Sequence, residues 1–142
     1  MSDSLSKCCA PLGRLLLSMI FVMSGAMKLA QWDQTAQQMT KEGMLAVPFF
    51  LAAAAAVEIC GGLSVLLGWQ ARYGALLLAL FLVPVTAIFH DFWTYQEPER
   101  LNQMMHFSKN ATIIGGLLMV AALGAGPVSL DARAARRVGM RE

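Results

Sequence analysis

Charge is scarce in this chain. Of its 142 residues, 14% are Asp, Glu, Lys or Arg, while 57% are hydrophobic and the mean hydropathy is +0.56. Soluble domains carry roughly a quarter charged residues, so the chain is short of solubilising surface. The formal net charge is only +2, and no basic stripe interleaved with aromatics is present, which excludes nucleic acid as a partner. Cysteine is also sparse. Cys8 and Cys9 are adjacent and Cys60 lies inside an apolar run. That pattern provides neither a disulfide framework nor the CxxC spacing of zinc or thioredoxin-like sites. GxSxG, P-loop and dinucleotide-binding fingerprints are absent too.

What the chain does have is long apolar runs. A bilayer-crossing helix needs about 20 mostly apolar residues, and four segments qualify: 11–30, 48–68, 71–92 and 104–124. Short connections leave a single domain over 1–142, an all-α integral membrane four-helix bundle. An even number of spans puts both termini and the Trp69–Arg72 turn on one face, with Lys7, Arg14, Arg72, Arg133, Arg136, Arg137 and Arg141. The positive-inside rule assigns that face, and both termini, to the cytoplasm. Trp32, Trp93 and Tyr95 then fall at the outer boundary, with Trp69 and Tyr73 at the inner one. Arg14 within the first run, and the three spans after it, argue for an uncleaved first helix rather than a signal peptide. The connection after Trp32 reads either as a short surface helix, with Trp32, Ala36, Met39 and Gly43 on one stripe, or as a polar loop. The basic segment 127–142 reads as a tail against anionic headgroups.

The stretch AAAAAVEICGGL, from Ala52 to Leu63, holds a single charge, Glu58, close to mid-span. An unpaired acid there costs about 2.5–3.5 kcal/mol on the insertion scale. Ala54, Ala55, Gly61 and Gly62 lie one turn to either side, so a second helix is expected to approach Glu58 closely. In the first span, Ser24, Gly25 and Lys28 form a matching stripe, which makes a Lys28–Glu58 pair the expected arrangement. Such a pair serves either as functional machinery or as a structural lock on helix register. In the third span Pro84 frees the carbonyl of Leu80 and borders a cavity. His90 follows, and the fourth span brings His106, Lys109 and Asn110 to the same outer boundary. Ala111 and Gly115 form an expected contact stripe beside them, and Cys60 reads as a packing residue. Together these residues describe a polar pocket in the outer half of the bundle, with Glu58 as its floor.

The elements GRLLLSMIFVMSGAMKL, VEICGGLSVLLGWQAR, FHDFW and HFSKNATIIGGLLMVAALGAGPVSLD, in that order from Gly13 to Asp131, resemble the DoxX family of small bacterial inner-membrane proteins. The resemblance implies a four-helix multi-pass protein of the bacterial inner membrane. It also implies an association with redox or sulfur metabolism, as in the small subunit of thiosulfate:quinone oxidoreductase, and no metal or covalent cofactor. Carrying the motifs over selects Lys28, Glu58, His90, Lys109 and Asn110, the positions already chosen. Three functions stay open. The first is a quinone-linked oxidoreductase subunit without independent activity. Its catalytic pair would be Glu58, exchanging a proton, and Lys28, hydrogen-bonding a quinone carbonyl, with His90, His106, Lys109 and Asn110 holding the quinone, beside membrane lipid, partner redox subunits or further copies of itself. The second is a scaffold, assembly factor or carrier of a small hydrophobic molecule. The third is a haem protein with His90 and His106 as axial ligands, which a Soret band would decide.

Overall fold

The computed structural model describes residues 3–139. They form α1 (Asp3–Ala30), α2 (Trp32–Lys41), α3 (Val47–Leu67), α4 (Ala71–Phe89), a short 3-10 turn (Phe92–Thr94), α5 (Glu99–Leu123) and α6 (Leu130–Gly139). α1, α3, α5 and the segment Ala71–Thr94 are long and apolar enough to cross a membrane. α1 begins ahead of the run expected from Pro11, and α5 begins at Glu99 rather than Met104. Of the two readings of the outer connection, the helix is the one formed. α2 buries Met39 against Val47 and Leu51 of α3, with Trp32, Ala36 and Met44 packed around them.

The helices pack in chain order, α1 on α3, α3 on α4 and α4 on α5, while α1 and α5 barely touch. Small residues set the closest approaches. A Cβ added to Gly62 would come within 2.8 Å of Val22 on α1, and one on Gly61 within 2.7 Å of Leu78 on α4. Between them lies an apolar core of Phe21, Val65, Ala75, Leu78, Ala79, Leu82 and Leu117. The outside of the bundle is equally apolar, since Leu16, Leu80, Met119 and Leu123 are all exposed. In water such a surface would aggregate, whereas against acyl chains it is the solvated face.

Two details depart from the expected packing. A Cβ added to Gly115 would meet nothing within 4 Å and Ala111 is exposed, so that stripe faces lipid. One residue on is a 100° rotation about the helix, and it is Gly116 that meets Leu17 of α1. Cys60 is likewise exposed rather than packed.

The inner end is locked by side chains on backbone. Gly68 ends α3 in the left-handed region (φ 65°), where a Cβ would collide with the Arg14 guanidinium. Asp131, in the first turn of α6, accepts the N–H groups of Gln70 (2.7 Å) and Ala71 (3.1 Å), capping α4 from a distance in sequence. Arg72 donates to the carbonyls of Ala121 (3.2 Å) and Ala122 (2.8 Å), serving the unpaired end of α5. Arg14, which the sequence places simply on the basic face, is buried and donates to the Val128 carbonyl.

Candidate functional site: a chamber floored by Glu58

The chamber begins with a close contact between α1 and α3. A Cβ on Gly25 would lie 2.7 Å from Ile59 and 3.1 Å from the Ala55 carbonyl, so only glycine allows this approach. The proximity places Ser24 and Lys28, one turn apart on α1, over Glu58. The Lys28 ammonium lies 3.0 Å from Glu58 Oε1 and 2.8 Å from Oε2. It also donates to Ser24 Oγ at 2.8 Å, and the Ser24 hydroxyl donates to Glu58 Oε1 at 3.2 Å. Oε1 therefore receives two hydrogen bonds. Oε2 takes the shorter contact with the ammonium, is buried, and among the described residues has no donor besides Lys28.

A second polar unit bridges α4 and α5. Thr86 donates back to the Leu82 carbonyl at 2.7 Å and accepts from Asn110 Nδ2 at 3.0 Å. Both residues are buried, so each needs the other. Near the outer boundary, His90 at the end of α4 faces Gln103 of α5, with 2.8 Å between Nδ1 and Oε1. With the amide in this orientation Nδ1 carries the proton, leaving Nε2 as the basic nitrogen.

These groups surround a cavity of about 500 Å³, within the roughly 300–1,000 Å³ range of small-molecule sites. Ser24, Lys28, Glu58, His90 and Asn110 contribute its polar wall, while Phe21, Phe50, Leu82, Pro84, Val85, Ile88 and Ile113 make most of the rest apolar. Thr35, Gln38 and Met39 of α2 close it from the outer side.

Of the six residues singled out from sequence, Lys28, Glu58, His90 and Asn110 line this cavity. His106 and Lys109 stand beside it. The His106 ring stacks on His90 with centroids 5.0 Å apart and 14° between planes, and Lys109 Nζ lies 3.1 Å from His106 Nδ1. Parallel stacking of the two imidazoles is not an arrangement in which both bind one haem iron axially from opposite faces. Thr86, Gln103, Thr35 and Gln38 escaped sequence reading. For Thr86 a signal existed, since it precedes His90 by one helical turn on the same face.

A bundle of four bilayer-length helices, with its one ion pair among the described residues turned inward, is an integral membrane protein. The DoxX family model matches residues 10–91, and the SURF4 family model matches residues 54–136. Inner membrane protein YqjF of Escherichia coli (strain K12) is 35% identical over 118 residues, 83% of this chain and 85% of its own. Inner membrane protein YphA of the same organism is 30% identical over 123 residues, 86% of this chain and 87% of its own. The Surfeit locus protein 4 homolog of Drosophila melanogaster is 26% identical over 121 residues, 84% of this chain but 38% of its own. No solved structure matches. The chain belongs to the DoxX family and is a multi-pass protein of the bacterial inner membrane.

Proposed function

We propose that the chamber binds the ring of a quinone substrate in its hydroxyl-bearing, reduced form, and that the protein is the membrane subunit of a quinone-linked redox complex in sulfur or oxidative-stress metabolism. The observation that carries this reading is Glu58 Oε2, which among the described residues only the Lys28 ammonium reaches and which keeps a further acceptor position beside a mostly apolar cavity. A buried carboxylate oxygen gains from each further donor it receives, and a ligand hydroxyl supplies one while its ring fills the apolar volume. Carboxylates accept short, strong bonds from hydroxyl donors, so Glu58 favours the quinol over the quinone, whose carbonyls donate nothing.

Glu58 is also the group across which a proton would pass. A quinone becomes a quinol by taking two electrons and two protons. In this reading the electrons come from a substrate-oxidising partner subunit; Glu58, first protonated from water, gives that proton to the near oxygen and is left as the carboxylate, and a second proton from water reaches the far oxygen at the His90 end. Lys28 and Ser24 hold Oε1 and keep the carboxylate aimed while this happens. The ion pair as a pure register lock has less to recommend it, because a lock needs no cavity beside it.

The test is equilibrium binding of tetramethylhydroquinone and of tetramethylquinone to purified protein in mild detergent. Wild type is expected to prefer the quinol, and Glu58→Gln to lower quinol affinity about 10-fold or more, roughly one charge-assisted hydrogen bond. Size-exclusion behaviour should stay unchanged. Equal affinity of both proteins for the quinol would remove Glu58 from the site.

A further inference from the structure

A second cavity of about 570 Å³ lies outside the chamber on the membrane-facing side of α1. Ile20, Ser24, Lys28, Thr35 and Gln38 line both spaces, so only these side chains stand between the two, at the Lys28–Ser24 pair. From there the outer groove runs down α1 along Met27, Met23, Ile20, Met19 and Leu16. Its polar lining, Ser24, Lys28, Gln31, Thr35 and Gln38, lies toward the outer end, and from Met23 inward it is apolar. Twelve residues of helix separate Leu16 from Lys28, about 18 Å at 1.5 Å per residue. One leaflet of the hydrocarbon core is about 15 Å deep.

We infer that the ligand is a single-tailed amphiphile taken laterally from the outer leaflet, its neutral hydroxyl-bearing head passing between α1 and α2 into the chamber and its tail staying in the α1 groove. This inference rests on the proposed headgroup site and adds the route and the tail. Three observations converge on it. The groove has the polarity of an outer-leaflet molecule, polar at the interface and apolar toward the midplane. From Lys28 it runs about 18 Å, enough to hold a tail of one-leaflet length. It adjoins the space onto which Glu58 Oε2 keeps an acceptor position, and Lys28, at 23% side-chain exposure, stands between the two. A charged head is disfavoured because Lys28 and Glu58 already neutralise each other. The three methionines are unbranched and polarizable, so they adapt to a flexible chain better than branched residues do.

Lipid tails are as apolar as the groove, so occupying it adds little affinity. Its effect is positional, and the experiment reads position. The probe is trimethylhydroquinone carrying a ten-carbon tail that ends in a diazirine, photolysed with the full-length protein in lipid nanodiscs, with adducts mapped by mass spectrometry. Adducts on Leu16, Met19, Met23 and Met27 should exceed those on the lipid-facing Leu77 and Leu80 of α4 by at least about fivefold. Excess tail-less tetramethylhydroquinone should bring the two sets to parity. If tetramethylhydroquinone binds the protein but adducts are spread evenly over all lipid-facing positions, the tail merely mixes with bulk lipid and the groove is overturned while the chamber stands. Adducts concentrated on Phe50 and Ile88 would put the tail inside the chamber, with the same consequence. Failure of tetramethylhydroquinone to bind would overturn groove and chamber together.

Discussion

Replacing Lys28 with methionine keeps the length and apolar stem of the side chain and removes only its charge and donors. The consequence follows from unequal burial of the two partners: the Glu58 side chain is 7% exposed and that of Lys28 is 23%. Stripped of Lys28, Glu58 keeps only Ser24 as a donor and remains at mid-helix. Loss of one member of a buried pair costs about 3–5 kcal/mol, and the insertion scale gives about 2.5–3.5 kcal/mol for a lone acid at the helix centre. About 3 kcal/mol is therefore expected for Lys28→Met. The reverse change, Glu58→Gln, leaves a lysine near the outer end of α1 that turns its ammonium toward the interface. Its cost should be nearer to about 1 kcal/mol, the ordinary worth of a hydrogen bond. In the double variant neither charge remains, so the coupling between the two sites should be at least about 2 kcal/mol, roughly a 30-fold change in the folding equilibrium. Reversible unfolding in mixed detergent and dodecyl sulfate micelles measures all three. Equal single costs that simply add in the double variant would mean that Glu58 and Lys28 do not depend on each other.

Three further outcomes are expected. Gly25→Ala should separate α1 from α3, because the Ala55 carbonyl at 3.1 Å cannot yield as a side-chain tip would; a loss of about 1–3 kcal/mol with weakened quinol binding is the expected result. Gly68→Ala should cost about 1–3 kcal/mol through left-handed strain and the clash with Arg14, whereas Gly115→Ala, in open space, should be neutral or stabilising by up to about 1 kcal/mol. Thermal unfolding in detergent separates the two glycines. Asp131→Ala should cost about 1 kcal/mol by uncapping α4, and it should raise amide hydrogen exchange at Gln70 and Ala71 while leaving quinol affinity unchanged.

The spans were legible in the sequence because a bilayer imposes a length of apolar residues that few other environments demand. Glu58 and Lys28 were legible for a related reason. A lone charge in an apolar run must find a partner, and the small residues around each pointed to the helices that would meet. Thr86 and Gln103 carried no such signal of charge, since a neutral polar side chain on a membrane helix is inexpensive and satisfies itself locally. The burial of Arg14 could not be read either. Near the inner end an arginine is expected to snorkel, and its acceptor, the Val128 carbonyl, is 114 residues away. The Gly115 stripe was misplaced by one residue because GG offers two faces, and only the packing of α5 against its neighbours chooses between them. His106 and Lys109 share a boundary with the chamber residues, which sequence depth shows, but not the inward rotation of His90 and Asn110, which it does not.

Native mass spectrometry of the protein released from membranes in mild detergent bears most directly on whether the inward-facing carboxylate serves a ligand. Wild type should retain one quinone-class amphiphile per chain, and Glu58→Gln should arrive as the bare polypeptide. Wild type stripped of every such molecule, and unable to take one up when it is added, would contradict a binding chamber above Glu58.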